Sequence, residues 1–254
     1  MALLEVCCDN LESVDAAVAG GARRIELCAD LELDGLTPPM AWLRIVKERY
    51  PELTVHVLIR PRDGDFVYTS EEAELMALQI EAALTFGADG IVVGCLTPVG
   101  DIDVPLMEYL MSVISTFHLA AELDRSDLCH ASNDNHFFTG PSRRVSVTFH
   151  RAFDRCRHPF KALEQIIGLG CDRILTSGQE ATVEEGADRL RRLRRRARGR
   201  IIILPGGGVT PENAARVLDL TGCTEIHASA SVVIDGKRVT DARKVAAILG
   251  AING

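Results

Sequence analysis

The stretch FGADGIVV at residues 86–93 decides the fold, because two other stretches repeat its plan. They are GGARRIEL at residues 20–27 and LGCDRILT at residues 169–176. In each, a glycine closes a helical segment, a short turn follows, and an apolar run begins the next strand. A helix end that repeatedly leads into a strand is typical of parallel β-α-β units.

The same alternation extends over the chain and predicts eight strands separated by helices. The predicted strands are Leu3–Cys7, Arg24–Cys28, Thr54–Ile59, Gly90–Val93, Val145–Phe149, Arg173–Thr176, Ile201–Leu204 and Glu225–Ala228. Eight such units favour the α/β class and one (β/α)8 TIM-barrel domain over residues 1–254, rather than a sheet that winds both ways.

Residues 122–144, ELDRSDLCHASNDNHFFTGPSRR, break this alternation. They are polar, poorly periodic and longer than most loops in compact domains. Because Ser, Asn, Asp and Gly-Pro make local turns without supplying a core, we expect an irregular insertion here, with a functional lid as the alternative.

The composition excludes two classes of partner. With 36 acidic against 28 basic residues, the net charge of −8 should repel nucleic-acid backbones. No stretch approaches the roughly 20 apolar residues that a membrane span needs, and the first residues lack a basic leader. We therefore expect a cytoplasmic protein without nucleic-acid or membrane partners.

The cysteines are expected to be reduced thiols rather than disulfides. They are Cys7, Cys8, Cys28, Cys95, Cys129, Cys156, Cys171 and Cys223. Such a chain, neither small nor secreted, seldom relies on disulfides, and the absence of any C-x-x-C motif disfavours a structural zinc site.

The first two strands end in the same pattern, a glutamate followed two residues later by a cysteine. Glu5 and Cys7 end the first, and Glu26 and Cys28 end the second. Side chains two residues apart lie on one face of a strand, so two carboxylates and two thiols should meet at the barrel mouth. The cysteines could instead be small apolar packing residues, whereas a buried glutamate needs a partner.

Ionisable residues also end later strands, where barrel enzymes place their active sites. Arg60 should face Glu5 or Glu26 in an ion pair, with His150 within reach. The candidate catalytic residues are Glu5, Glu26, Arg60, His150 and Arg151.

The motif PGGG, residues 205–208, predicts an anion site after the seventh strand. Glycines allow an oxyanion to approach the backbone, and the following helix offers free N–H groups. Gly206, Gly207 and Gly208 are expected to bind a phosphate or carboxylate together with Ser229 from the eighth strand. A simple tight turn is the alternative.

Several of these phrases, taken in order, resemble the CutC family, which is named for copper homeostasis. They are EVCCDN, GGARRIELC, GLTPP, IRPRDGDFVY, GADGIVVG, VTFHRAFD, RILTSG and IIILPGGGVT. The resemblance implies a TIM barrel, a homo-oligomer, and copper ligands at Cys7 and Cys28. The chain departs from the family in residues 122–144, in a second thiol at Cys8, and in HASAS at residues 227–231.

Two functions follow from this sequence. The first is a copper homeostasis protein that binds Cu(I) through Cys7 and Cys28, since soft thiolates are its preferred ligands. The second is a barrel enzyme acting on a small phosphorylated or carboxylated metabolite by Glu/His acid-base chemistry. No organic cofactor is predicted; the expected partner is a copper ion or a small anionic metabolite.

Overall fold

Eight parallel strands form a barrel wall in the computed structural model of the chain, which describes residues 1–127, 144–234 and 237–254. The strands are β1 (Leu3–Cys8), β2 (Arg24–Leu27), β3 (Thr54–Leu58), β4 (Gly90–Val93), β5 (Ser146–Phe149), β6 (Arg173–Thr176), β7 (Ile202–Pro205) and β8 (Glu225–Ala228). Consecutive strands pair from β1 to β7, and β8 pairs with β1. A parallel bridge between Gly206 and His227 closes the ring. The predicted (β/α)8 barrel is confirmed, and every strand end lies within one residue of its predicted position.

In the part of the chain that the structure describes, eight α-helices surround the strands. They are α1 (Leu11–Ala19), α2 (Met40–Arg49), α3 (Ser70–Thr85), α4 (Val104–Asp127), α5 (Pro159–Gly168), α6 (Ala187–Ala197), α7 (Ala214–Thr221) and α8 (Ala242–Asn253). In the described ranges, no helix combines the length and apolar character that crossing a membrane requires. Because α4 continues to Asp127, residues 122–127 are helical rather than irregular. The rest of the expected insertion, residues 128–143, lies outside the described residues.

An antiparallel hairpin between β8 and α8 was not predicted. Its strands are β9 (Ser231–Ile234) and β10 (Lys237–Thr240). The Asp-Gly pair at 235–236, between runs rich in β-branched residues, is a sequence signal typical of two-residue hairpin turns.

The three repeated junctions have a common physical basis. Their glycines have left-handed φ values: Gly21 at 94°, Gly87 at 85° and Gly170 at 80°. Asp89 then accepts a hydrogen bond from the Val55 N–H at 2.8 Å, and Asp172 accepts one from the Val147 N–H at 2.8 Å. Each aspartate thus ties the start of its own strand to the neighbouring strand.

Strand residues alternate between the helix layer and the barrel interior. Side chains that face the helices are apolar and belong to the main core, for example Val6, Ile25, Val57, Ile91 and Phe149. Cys7, Cys28, Leu58 and Val92 form a separate small cluster inside the barrel. The inward side of β1, β2, β3 and β8 also carries buried ionisable side chains, namely Glu5, Arg24, Glu26, His56, Glu225 and His227.

Candidate functional site

A buried charge network lies inside the barrel, composed of Glu5, Arg24, His56, Arg173 and Glu225. Arg24 Nε lies 2.7 Å from Glu5 Oε2, and the same guanidinium contacts Glu225. His56 Nδ1 lies 3.0 Å from Glu5 Oε2, and Arg173 Nε lies 2.8 Å from Glu225 Oε2. Each carboxylate in this network therefore has at least one arginine beside it.

The network sets the protonation of its acids. Burial tends to raise the pKa of Glu5, but hydrogen bonds from His227 and His56 and the charge of Arg24 hold it well below its usual value. Burial likewise opposes ionisation of Glu225, and its two arginine partners lower its pKa. Both carboxylates are thus ionised at neutral pH.

Arg24 occupies the position expected for Arg60, and the predicted pairing of Glu5 or Glu26 with Arg60 is wrong. Side-chain alternation along β2 directs Arg24 inward beside Glu26, where it reaches Glu5 on the adjacent strand. Arg60 follows the end of β3 and donates instead to the carbonyls of Leu33 and Gly35.

A thiol cluster lies next to the charge network and consists of Cys7, Cys28, Glu26 and His227. The Sγ atoms of Cys7 and Cys28 are 3.5 Å apart, and His227 Nε2 lies 3.4 Å from Glu26 Oε2. One ligand atom from each of Cys7, Glu26 and His227 lies within 4.8 Å of the others. Cys8 faces away, packed in the main core with its thiol directed at the Val6 carbonyl.

The two thiols of this cluster are protonated when no metal is bound. The hydrogen bond with Cys28, together with burial, raises the pKa of Cys7 well above its usual value. The hydrogen bond with Cys7 lowers the pKa of Cys28, but burial and the charge of Glu26 outweigh it, so that pKa is also raised. Burial raises the pKa of Glu26 as well.

Arg60 and His150 follow β3 and β5, and each has one side-chain nitrogen without a hydrogen-bond partner among the described residues. Arg60 is 4% exposed, and its Cζ lies 5.1 Å from the centre of the Phe66 ring. Its Nε has no hydrogen-bond partner in the described part of the chain, where no carboxylate oxygen lies within 4.0 Å of the guanidinium.

His150 is held as a neutral donor. Its Nδ1 accepts the Ala152 N–H at 3.1 Å, so the ring proton sits on Nε2, which also lacks a partner among the described residues. Burial, followed by the charge of Arg60, lowers the pKa of His150 to about 3. A neutral imidazole of this kind suits hydrogen-bond donation better than general-base catalysis at neutral pH.

Arg151, another candidate catalytic residue, already has partners. Its side chain is 45% exposed, with Nε donating to Asp154 at 2.8 Å and Nη2 donating to Ser177 at 3.2 Å. Asp154 also accepts from the Thr176 hydroxyl and the Ser177 amide. Arg151 therefore helps to fix the loop after β6.

The glycine loop, residues 206–208, differs from the predicted anion site at its first residue. The Gly206 amide donates to the Thr176 carbonyl at 3.0 Å, so it is not free to bind an anion. The amides of Gly207 and Gly208 have no partner among the described residues, and Ser229 Oγ lies 3.1 Å from Ser231 Oγ. An anion held by the remaining amides and Ser229 stays a prediction.

One cavity of about 360 Å³ brings most of these groups together. It is lined by the thiol cluster, by the residues that follow β3 and β5, and by the glycine loop, among them Cys7, Glu26, Cys28, Arg60, His150, Arg151, Gly207, Gly208, His227 and Ser229. Glu5, in the charge network, is not among the described residues that line it. Sequence reasoning missed Arg24, His56 and Glu225, although the two-residue alternation through Arg24–Glu26, His56–Leu58 and Glu225–His227 would have marked them as inward-facing.

Comparisons with a family model, with related proteins and with a solved structure all indicate the same family. The model of the CutC family matches residues 2–134 and 139–232. A CutC family protein of Bacteroides fragilis is 46% identical over 228 residues, which is 90% of this chain and 80% of that protein. The human copper homeostasis protein cutC homolog is 42% identical over 228 residues, 90% of this chain and 73% of that protein. A crystal structure of CutC from Streptococcus agalactiae superposes with a TM-score of 0.76 at 28% identity, covering 90% of this chain and 99% of that one.

Proposed function

Because the chain belongs to the CutC family, we propose that it serves copper homeostasis by binding Cu(I) through Cys7 and Cys28. The observation that carries this proposal is the 3.5 Å separation of two thiols that both line the cavity. A relative named for copper homeostasis supports copper as the metal. Cytoplasmic location and homo-oligomeric assembly stay predictions.

The donor set suits Cu(I) better than harder ions. Thiolates are soft ligands that select Cu(I), whereas carboxylate and water ligands suit magnesium or calcium. Cys7 and Cys28 would supply the sulfur ligands, and a nitrogen of the His227 imidazole lies within 4.8 Å of the Cys7 thiol. Since the thiolate is the ligand, Cu(I) must displace the protons of two buried thiols, and Glu26 beside Cys7 is placed to accept one.

The direct test is a Cu(I) titration of the reduced protein against a competing chelator. We expect Cys7→Ser/Cys28→Ser to lose Cu(I) binding while keeping the fold, because serine hydroxyls are poor ligands for a soft ion. The matched control is Cys171→Ser/Cys223→Ser, which removes two buried thiols outside the cavity. It should bind Cu(I) as the unaltered protein does.

The competing interpretation is that Cys7 and Cys28 only pack as small apolar residues. It predicts the same Cu(I) affinity for the cavity variant as for the unaltered protein, with a loss of stability as the main effect. Circular dichroism of each variant shows whether a lost affinity reflects a lost ligand or a lost fold. Undiminished affinity in a folded Cys7→Ser/Cys28→Ser protein contradicts the proposal.

A further inference from the structure

Arg60 is a buried cation whose charge is not neutralised by any carboxylate in the described ranges of the chain. Three carbonyl oxygens accept from it: those of Leu33 at 2.7 Å, Gly35 at 2.9 Å and Gly64 at 3.4 Å. These dipoles orient the guanidinium but carry no net charge. A buried charge without a counter-charge is costly, so an anion that reached it would be stabilised.

His150 brings a second donor to the same part of the cavity. Its ring centre lies 5.0 Å from that of Phe66, the ring that Arg60 also covers. The Ala152 amide fixes Nδ1 as an acceptor, so Nε2–H is the donor that remains. Both side chains line the cavity, and both retain an N–H group without a partner within the described residues.

We propose that Arg60 and His150 form a binding site for the carboxylate of a small organic acid. The carbonyls of Leu33 and Gly35 accept from Nη1 of Arg60 and that of Gly64 accepts from Nη2, which leaves Nε–H and the second hydrogen of Nη2 without an acceptor among the described residues. These two N–H groups are parallel, and they match the two oxygens of a planar carboxylate. The Nε2–H of His150 donates to an oxygen of the same acid.

The site shares its cavity with the thiol cluster but uses other side chains. The thiol cluster belongs to β1, β2 and β8 and their ends, whereas Arg60 and His150 follow β3 and β5. One unpaired buried cation also matches a single negative charge. The cavity of about 360 Å³ has room for an acid of a few carbon atoms.

Isothermal titration with acetate, pyruvate and inorganic phosphate tests the inference. We expect both carboxylates to bind the unaltered protein, and Arg60→Met to weaken them by about tenfold or more, the factor expected for one lost charge-assisted hydrogen bond. Arg60→Lys keeps the positive charge but lacks the two parallel N–H groups. Its affinity for carboxylates should therefore lie between those of the unaltered protein and Arg60→Met. His150→Asn should weaken binding less than Arg60→Met does.

The control is Arg216→Met, which removes an exposed arginine outside the cavity and should leave carboxylate binding unchanged. The inference is overturned if the unaltered protein binds no carboxylate, or if a folded Arg60→Met protein binds carboxylates with unchanged affinity. It is also overturned if Arg60 is needed for binding phosphate in place of a carboxylate. Arg60→Met should still bind Cu(I), and Cys7→Ser/Cys28→Ser should still bind acetate. Failure of one site is therefore distinguishable from failure of the other.

Discussion

Arg24 and Arg60 are two buried arginines of one barrel with opposite surroundings. Arg24 is 3% exposed and contacts two carboxylates, those of Glu5 and Glu225. Arg60 is 4% exposed, and among the described residues its guanidinium donates to backbone carbonyl oxygens, not to carboxylates, and lies over the face of Phe66. The two arginines are therefore equally buried, but only Arg24 is paired with carboxylates among the described residues.

This difference separates structure from function inside the barrel. A buried cation with carboxylates on both sides is part of the fold, and its removal leaves acids without a partner. A buried cation that lines a cavity without a carboxylate keeps its charge available to a ligand. The thiol cluster shows the same contrast, since Cys7 and Cys28 line the cavity whereas Cys8 packs against the helices.

The largest expected effect is on Arg24. Arg24→Leu should lower the free energy of unfolding by about 3–5 kcal/mol, because it leaves Glu5 buried beside histidines alone and removes one of the two cations of Glu225. Urea unfolding followed by circular dichroism measures the change. A loss below about 1 kcal/mol would show that the network contributes little to stability and would remove the contrast with Arg60.

The second effect is a pH dependence at His150. Its pKa of about 3 in the folded protein lies below the usual value of roughly 6.5 in the unfolded chain. The stability linked to this group is therefore full above pH 6.5 and falls as the pH drops towards 3, by about 2 kcal/mol at pH 5. His150→Asn should reduce the difference in unfolding free energy between pH 7 and pH 5 by that amount. An unchanged difference would show that His150 accepts a proton in the folded state.

Replacing Arg60 in the absence of a ligand should change the free energy of unfolding least. Arg60→Met removes hydrogen bonds to Leu33 and Gly35 but leaves no buried acid unpaired. We expect its unfolding free energy to stay within about 1 kcal/mol of the unaltered protein. A loss as large as that of Arg24→Leu in the same urea experiment would show that Arg60, like Arg24, mainly stabilises the fold.

Sequence patterns predicted the barrel well, because strand alternation and the junction glycines are local signals. The same alternation correctly placed Glu5 with Cys7 and Glu26 with Cys28 inside the barrel. Pairing between side chains was harder to predict, since it depends on how far along each strand a charge sits.

Arg60 illustrates that limit. It was expected to neutralise a glutamate, but it lies beyond the end of β3, at the level of the loops, while Arg24 lies in the strand register of Glu5. The partners of Arg60 are carbonyl oxygens of Leu33, Gly35 and Gly64, and no side-chain pattern in the sequence marks a backbone acceptor. That no carboxylate among the described residues neutralises Arg60 could therefore be learned only from the three-dimensional structure.

Copper K-edge X-ray absorption of the Cu(I)-loaded protein shows directly whether Cu(I) binds to the thiols inside the barrel. We expect two sulfur ligands in the unaltered protein, and the same two in Cys171→Ser/Cys223→Ser. We expect no sulfur ligand in Cys7→Ser/Cys28→Ser. Two sulfur ligands that persist in the folded Cys7→Ser/Cys28→Ser protein would contradict it.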